Sequence, residues 1–540
     1  MSRVLRASAI MAAGTMVSRL TGFARTAVLA SAIGVAALGD AYNVAYTIPF
    51  ILFDLLIGGV LSSVIVPMIV KAQQHDPDGG RAYEQRLMTL ATLVLLAIAV
   101  AGVLCAPLLV SLLTTDLSPR GYDVAVTLAR YILPQIAFFG IGAISGAILN
   151  TRDRFAAPMW APVLNNLVVI GVALLYLVAG GAGGNIDAVT SGDLALLGIG
   201  TTAGIVVQSI VLIIAAHRAG FRFVPRLDLR GARLGEMGRA GVWTLAFVLV
   251  NQIGFIVTTN LATGATGKAA EQGAGHVAGI ASYSYAFQLF QLPYGIIAVS
   301  VITAMLPRMS RHVHEGRPEA IRDEFASGVR LVSSVIVPAG LLLMVLGPAV
   351  TVLIFGHGST SVAEAVNIGN VLQVFGLALV PFSIYQLLLR VFYSFGDTRT
   401  PALIAAGNVA VSTTVSFVLY LTLPPDLIVM GLAMAFTAAY TCGGVVAWTL
   451  AARRVGGGLG GRAVGAALAR MYVAAIPAAV VALIVLWGTT EVAGITPLSS
   501  AIMLLVGGGA GGLLYLLASH RMRIAEISSI IGLVAGRVGR

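Results

Sequence analysis

The sequence predicts an all-α polytopic membrane protein with about fourteen transmembrane helices, arranged as two pseudo-symmetric six-helix lobes and two C-terminal helices. Three observations support this prediction. The 540 residues are 58% hydrophobic and only 10% charged, which excludes a soluble globular protein because no folded core could hide that much apolar surface. Apolar stretches of about 20 residues recur along the chain. Basic residues fall in alternate loops between these stretches.

The predicted helices follow the apolar stretches between charged or Gly/Pro-rich breaks. They cover residues 8–34, 41–70, 86–113, 123–149, 159–180, 192–216, 236–262, 277–305, 325–354, 361–392, 399–422, 427–451, 464–487 and 497–518. Each is long enough to cross about 30 Å of hydrocarbon. The 63 glycines are typical of membrane helix bundles in which backbones approach closely.

The formal net charge of +11 would suggest nucleic-acid binding if the charges formed one patch. They lie instead in every second inter-helix segment, for example at Arg152 and Arg154 and again at Arg308 and Arg311. By the positive-inside rule these segments are cytoplasmic. We therefore expect an even number of spans, two cytoplasmic termini, a location in the plasma membrane and no nucleic-acid partner.

Prolines and basic turns indicate an internal repeat. Three pairs of landmarks, each separated by about 240 residues, are Pro49 with Pro293, Pro67 with Pro307, and the turn 153–158 with the turn 397–401. Equal offsets at three places favour two similar halves in the same orientation. The predicted domains are residues 1–220 for the N-terminal lobe, 221–455 for the C-terminal lobe, and 456–540 for helices 13 and 14 with the cytoplasmic tail.

Two arginines near the middle of the first predicted helix are the strongest functional signal. Arg19 and Arg25 lie in the segment from Ser18 to Arg25, with Gly22 between them. A bare guanidinium at mid-membrane costs at least ~2.5–3.5 kcal/mol, so such side chains should face a wet cavity where an anion can bind. Guanidinium forks match diphosphate oxygens. Alternatively, both arginines pair with nearby carboxylates or backbone carbonyls and have a purely structural role.

The helical positions of the two arginines set a geometric condition. Six residues at 100° each place Arg19 and Arg25 about 120° apart around an ideal helix. Both can then border one cavity only if it is wide or if the helix bends. Gly22 would allow such a bend, and we therefore include Ser18 and Gly22 among the candidate substrate-binding residues.

Three further polar residues are candidates for the site. Asp40 is expected at the outer end of the first span, as a gate or arginine partner or, equally, as an N-cap of the second helix. Asp54 lies inside the second span after Pro49, either as a partner of Arg25, as a titrating group in coupling, or in a structural ion pair. Gln288 precedes Pro293, the counterpart of Pro49.

Enzyme signatures are missing from the sequence. No phosphate-cradling P-loop and no His/Asp/Glu cluster with metal-ligand spacing occurs, so we expect a transporter without a cofactor or a metal site. Its driving energy would come from a gradient, the membrane potential or consumption of the cargo, and a coupling cation is not identified.

Several strings resemble the bacterial lipid II flippase family (MurJ, formerly MviN) of the multidrug/oligosaccharidyl-lipid/polysaccharide exporter superfamily. The strings that carry the resemblance are Ser18-Arg19, Gly22-Phe23-Ala24-Arg25, Asp40-Ala41, Gly146-Ala147-Ile148-Leu149-Asn150-Thr151 with Arg154-Phe155 and Pro158, and Phe392-Tyr393-Ser394 with Asp397 and Thr400-Pro401. The resemblance covers the whole chain. It implies the predicted fourteen-helix fold with two six-helix lobes.

The resemblance also implies a function. It predicts translocation of the peptidoglycan precursor lipid II, carried on an undecaprenyl or decaprenyl diphosphate, from the cytoplasmic to the outer leaflet by alternating access. Arg19, Arg25 and Asp40 match the family's head-group cavity. Two family arginines of the second span are replaced here by Phe53 and Asp54, and an eighth-span arginine by Gln288, so the cavity is less positive than the family pattern.

Other functions stay open on the sequence alone. A cation-coupled exporter of drugs or of other polyprenyl-linked oligosaccharides belongs to the same superfamily. A membrane scaffold or a lipid-linked-sugar transferase belongs to a different class, and a transferase would need an acidic pair or a metal site near a membrane face. Membrane lipids and proteins of cell-wall synthesis and division are the remaining expected partners.

Overall fold

The computed structural model describes residues 3–55, 65–115, 117–228, 234–272, 279–524 and 526–527. The described residues form α-helices and π-helical turns, with no strand among them. Twelve helical stretches in these ranges are long and apolar enough to cross a membrane. The all-α membrane fold class is therefore confirmed. The first helix of 31 residues and the second of 17 lie outside these twelve, and the count of fourteen stays a prediction.

The chain divides into two compact units, of which the first comprises Met1–Gly267 with Gly358–Thr360. Its helices are α1 (Arg3–Ile33), α2 (Ala37–Phe53), α3 (Val66–His75), α4 (Arg81–Leu104), α5 (Ala106–Leu113), α6 (Pro119–Ile132), α7 (Gln135–Thr151), α8 (Ala156–Val178), α9 (Ser191–Arg218) and most of α10 (Leu234–Glu271). Part of the predicted second span, residues 56–64, lies outside the described residues.

The second unit comprises Lys268–His357 and Ser361–Arg540. Its helices are α11 (Ile280–Pro293), α12 (Val299–His314), α13 (Pro318–Phe355), α14 (Val362–Ser394), α15 (Arg399–Thr422), α16 (Pro425–Val455), α17 (Gly461–Ala493), α18 (Pro497–Ile502) and α19 (Gly509–Arg521). The units meet in sequence after Gly267, whereas the predicted N-terminal lobe ends at residue 220. The predicted lobes were inferred from a sequence repeat, whereas the two units are defined by contacts in space. The predicted domain boundaries therefore stay a prediction.

Several predicted spans are interrupted. The third breaks at Cys105, between α4 and α5, and the fourth breaks at Leu133 and Pro134, between α6 and α7. The eighth carries a π-helical turn, Tyr294–Ala298, directly after Pro293. Proline lacks an N–H donor and its ring clashes with the preceding turn, which accounts for the interruptions beside Pro134 and Pro293.

Glycines allow the closest helix packing in the second unit. A Cβ added at Gly340 of α13 would lie 2.9 Å from the carbonyl oxygen of Gly376 on α14, and one added at Gly376 would lie 2.7 Å from the carbonyl oxygen of Gly340. Such close backbone contact is possible only without side chains, as in other membrane bundles. The close approach of α13 and α14 at this point thus depends on glycine in both helices.

A polar network holds one end of the first unit together. Glu84 on α4 is 1% exposed and accepts hydrogen bonds from Gln73 Nε2 at 2.8 Å and from Arg152 Nη2 at 2.5 Å. Gln73 also donates to Thr151 Oγ1, and Arg152 donates to the carbonyl of Ala219. A buried carboxylate is tolerated only when paired in this way. The network fixes the end of α7, which belongs to one of the strings that resemble the flippase family.

Candidate functional site

Helix α1 carries both candidate arginines and is continuous from Arg3 to Ile33. Arg19, near its middle, is exposed, and Arg25 is half-buried. The predicted bend at Gly22 does not interrupt the helix. Six residues of unbroken helix leave the two guanidinium groups about 120° apart around the axis and about 9 Å apart along it, so they face different directions.

Gly22 packs against a neighbouring helix. A Cβ added at Gly22 would lie 3.4 Å from Nδ2 of Asn166 on α8. The same amide nitrogen donates to the carbonyl of Ser18 at 3.1 Å and to Thr21 Oγ1 at 3.0 Å. Ser18 and Gly22 therefore form the contact surface that joins α1 to α8 and fixes the rotation of α1. Substrate binding by either residue stays a prediction.

Arg25 lies against an aromatic side chain of α2. Its Nη1 is 3.4 Å from the hydroxyl oxygen of Tyr46, and its Cζ is 5.6 Å from the centre of that ring. A guanidinium at this distance from a ring is attracted by the ring's quadrupole. Tyr42, one turn earlier on α2, is buried with its hydroxyl 2.7 Å from Thr201 Oγ1 of α9. The α2 helix is thus anchored to α9 and presents Tyr46 to Arg25.

Asp40 lies inside the first turn of α2 and is 1% exposed. Its Oδ2 accepts a hydrogen bond from Thr266 Oγ1 of α10 at 3.2 Å. The residue at the N-cap position is Ala36, which makes no side-chain capping hydrogen bond. Asp40 is therefore not the N-cap of α2. The carboxylate instead joins α2 to α10.

Asp54 follows the last residue of α2 and is half-buried. Its Oδ2 accepts a hydrogen bond from Nε2 of Gln252 on α10 at 3.0 Å. The partner observed for this carboxylate is therefore an amide of α10, whereas Arg25 lies against Tyr46. Gln288, the remaining candidate, lies half-buried on α11 in the second unit, five residues before Pro293.

The C-terminal end of α1 is capped by residues distant in sequence. The backbone N–H of Ser359 donates to the carbonyl of Ser31 at 2.8 Å, its hydroxyl donates to Ala32, and the Thr360 hydroxyl donates to Ala30 at 2.7 Å. The last carbonyls of a helix have no partner within it. Gly358, with φ of +64°, allows the close approach that brings these donors to the helix end.

The two arginines supply the charged groups of the candidate site. The exposed guanidinium of Arg19 and the guanidinium of Arg25 beside Tyr46 each offer N–H donors that suit phosphate or carboxylate oxygens, and they present these donors on different sides of α1. Among the described residues no group of His, Cys, Asp and Glu side chains is arranged to hold a metal ion.

Sequence analysis missed Tyr46 and Thr266 as neighbours of the candidate residues. The contacts of Asn166 with Ser18 and of Gln252 with Asp54 were not predicted either. The four-residue spacing of Tyr42, Tyr46, Phe50 and Asp54 was the available signal that these side chains share one side of α2.

The sequence matches one family model, described as lipid II flippase MurJ, over residues 29–506. Arg19 and Arg25 precede this range. A relative from Rhizobium meliloti (strain 1021), named probable lipid II flippase MurJ, is 30% identical over 510 residues, which cover 92% of this chain and 90% of that protein. The lipid II flippase MurJ of Burkholderia cenocepacia is 27% identical and covers 77% of this chain and 78% of its own.

Solved structures share the fold. A lipid II flippase MurJ in an inward closed conformation matches with a TM-score of 0.74 and 20% identity, covering 95% of this chain and 98% of that one. An inward-facing multidrug resistance transporter of the MATE family, within the MOP superfamily, matches with a TM-score of 0.64 and 14% identity, covering 81% and 94%. The family model spans most of the sequence, and the Rhizobium relative is similar over nearly its whole length. This chain therefore belongs to the lipid II flippase MurJ family.

Proposed function

We propose that this chain is a transporter that moves lipid II from the cytoplasmic to the outer leaflet of the plasma membrane by alternating access. Family membership supports the cargo, because the family model and the Rhizobium and Burkholderia relatives carry that function in their names. The likeness in fold to a flippase in an inward closed conformation supports a cycle with more than one state. Nothing in this cycle requires the chain to act as an enzyme.

The observation that carries the proposal is the position of Arg19. Its side chain is exposed near the middle of α1, which the proposal assigns as the first span, and a charged group inside a span is stable only beside water or an anion. Arg25, half-buried beside Tyr46, adds a second guanidinium to the same helix. Diphosphate is the part of lipid II that a guanidinium group recognises by charge-assisted hydrogen bonds.

In the proposal the other candidate residues position the helices that carry or adjoin Arg19 and Arg25. Ser18 and Gly22 set the rotation of α1 through Asn166, and Asp40 and Asp54 hold α2 to α10 through Thr266 and Gln252. Gln288, on α11, remains a proposed substrate-binding residue. In the same proposal, residues 1–220 form the N-terminal lobe, residues 221–455 form the C-terminal lobe, and residues 456–540 form helices 13 and 14 with the cytoplasmic tail.

The basic loops support an orientation. With the arginine-rich segments on the cytoplasmic side, both termini are cytoplasmic, and the network around Glu84 and Arg152 lies at the cytoplasmic end of the first unit. Cell-wall synthesis and division proteins are partners in the same proposal, because they consume the cargo at the outer leaflet.

Complementation tests the proposal. Expression of this chain in a strain depleted of its own lipid II flippase should restore growth and remove the intracellular accumulation of lipid II. An exporter of drugs would leave the accumulation unchanged while lowering intracellular drug levels. Failure to relieve accumulation, at a membrane abundance equal to that of a complementing family member, would refute the proposal.

A further inference from the structure

An aromatic stripe runs along α2 from the position of Arg25. The ring centres of Tyr46 and Phe50 lie 5.9 Å apart, and Phe50 lies 5.6 Å from Phe139 of α7 in an edge-to-face arrangement. Phe53 packs on the same Phe139 at 5.3 Å. Residues four apart on a helix share one side, so Tyr46, Phe50 and Asp54 follow each other along that side. We call Tyr46, Phe50, Phe53 and Phe139 the aromatic stripe.

The stripe is accessible. Phe50 is 45% exposed, and Tyr46, Phe53 and Phe139 are half-buried. The aromatic cluster of the second unit differs in this respect, because Phe290 and Phe375 at its centre are fully buried. Unlike Phe290 and Phe375, the ring of Phe50 keeps a face that no other part of the protein covers.

Polar groups bound the stripe at both ends. The guanidinium of Arg25 lies beside Tyr46, and the carboxylate of Asp54 accepts a hydrogen bond from Gln252 at 3.0 Å. Ionisable side chains within a span face the bundle interior or a water-filled cavity and not lipid. Phe50 lies between these two ends on the same side of α2, so its exposed ring is flanked by both ionisable groups.

A sugar ring has the complementary chemistry. Its C–H faces are apolar and stack on aromatic rings, while its hydroxyl groups donate to carboxylates and exchange hydrogen bonds with amides. Pockets that combine aromatic walls with a few convergent polar groups fix such ligands in orientation. We propose that the aromatic stripe, with Asp54 and Gln252, is a subsite for a sugar ring of the cargo's head group.

This inference rests on the proposed function, since it places the sugar beside a diphosphate held by the arginines. Tyr46 and Asp54 are eight residues apart, about 12 Å along a helix. In this proposal a diphosphate bound at Arg25 places the attached sugar on the stripe, between Tyr46 and Asp54. The subsite would distinguish sugar-bearing lipids from bare polyprenyl diphosphate, a distinction that the arginines alone do not provide.

The test compares three probes in binding assays on the full-length purified chain: polyprenyl diphosphate, polyprenyl diphosphate carrying a single sugar and no peptide, and lipid II. Phe50→Leu removes the exposed ring and keeps an apolar side chain. We expect its Kd to rise about three- to tenfold for both sugar-bearing probes and to stay unchanged for polyprenyl diphosphate. Asp54→Asn should shift the same two probes, and Phe50→Trp should retain the affinity of the wild-type chain.

Phe417→Leu is the matched control, because Phe417 on α15 is similarly exposed, at 47%, and lies in the second unit. An equal loss for all three probes, no loss for the sugar-bearing probes, or a loss that requires the peptide would each overturn the subsite. The proposed function fails separately, if replacement of Arg19 and Arg25 leaves the binding of all three probes unchanged.

Discussion

Arg25 and Tyr46 interact mainly through a contact between the guanidinium and the tyrosine ring, and only weakly through a hydrogen bond. The guanidinium Nη1 lies 3.4 Å from the tyrosine hydroxyl oxygen, at the long limit for a hydrogen bond, while the guanidinium carbon lies 5.6 Å from the ring centre, within the range of a cation–π interaction. The ring, rather than the hydroxyl, is therefore expected to set the orientation of Arg25.

Tyr46→Phe and Tyr46→Leu separate these two contributions. The phenylalanine variant keeps the ring, so its Kd for lipid II should stay within about threefold of wild type. The leucine variant loses the ring contact, worth ~0.5–2 kcal/mol, and should bind roughly tenfold more weakly. Equal losses in the two variants would show that the hydroxyl group is the important partner.

Asn166 should contribute more to stability than a comparable intramembrane amide. Its side chain bridges α8 to Ser18 and Thr21 of α1, whereas Asn251 bonds to the carbonyl of Phe247 in its own helix. Hydrogen bonds between membrane helices are worth ~0.6–1.7 kcal/mol. Asn166→Leu should therefore lower the midpoint of thermal unfolding in detergent micelles further than Asn251→Leu, and the reverse order would contradict the bridge.

Gly376→Ala should destabilise the second unit. The added methyl group would meet the carbonyl oxygen of Gly340 and the backbone of Met344, and overpacking of this kind costs ~1–3 kcal/mol. Gly407→Ala on α15 is the control, because a Cβ there meets no atom within 4 Å and alanine favours a helix by ~0.5–1 kcal/mol. Thermal unfolding midpoints of the two variants should move in opposite directions.

Asp397, in the turn between α14 and α15, should stabilise the fold in a pH-dependent manner. Burial raises the pKa of its carboxyl, but hydrogen bonds from the backbone and hydroxyl of Thr400, together with the charge of Arg454, outweigh burial and lower that pKa overall. A lowered pKa means that the ionised group stabilises the folded state above the unfolded pKa of about 3.9. That contribution is lost as the pH falls through the lower, folded-state value.

The measurement for Asp397 is the difference in thermal midpoint between the wild-type chain and Asp397→Asn. The difference should be constant at neutral pH and shrink as the pH falls below about 4, because a protonated aspartate resembles asparagine. A difference that is independent of pH down to acid unfolding would exclude the contribution of the carboxylate charge.

The sequence was sufficient for the fold class, whereas the binding role of the two arginines of α1 stays a prediction. Mean apolarity and the spacing of apolar stretches are local properties, and a guanidinium within such a stretch is conspicuous. The breaks at Cys105 and Leu133 were not predicted, although Pro107 and Pro134 lie beside them, because a proline bends a membrane helix without always ending it.

The partners of the candidate residues could not be predicted. Thr266 lies 226 residues from Asp40, and Gln252 lies 198 residues from Asp54, so these pairs depend on tertiary packing. Gly22 was predicted to allow a bend, whereas it provides a close contact with Asn166. A glycine in a helix can allow either a bend or a close helix contact. The neighbouring helix determines which of the two occurs, and the local sequence does not.

Leaflet-resolved transport of lipid II tests the central claim most directly. The purified chain, reconstituted in vesicles with labelled lipid II, should move the label to the opposite leaflet. Arg19→Ala and Arg25→Ala should each reduce this rate by at least tenfold, while Arg399→Ala, at the start of α15, should leave it within about twofold. Wild-type rates in both α1 variants, at equal amounts of folded protein, would contradict the account.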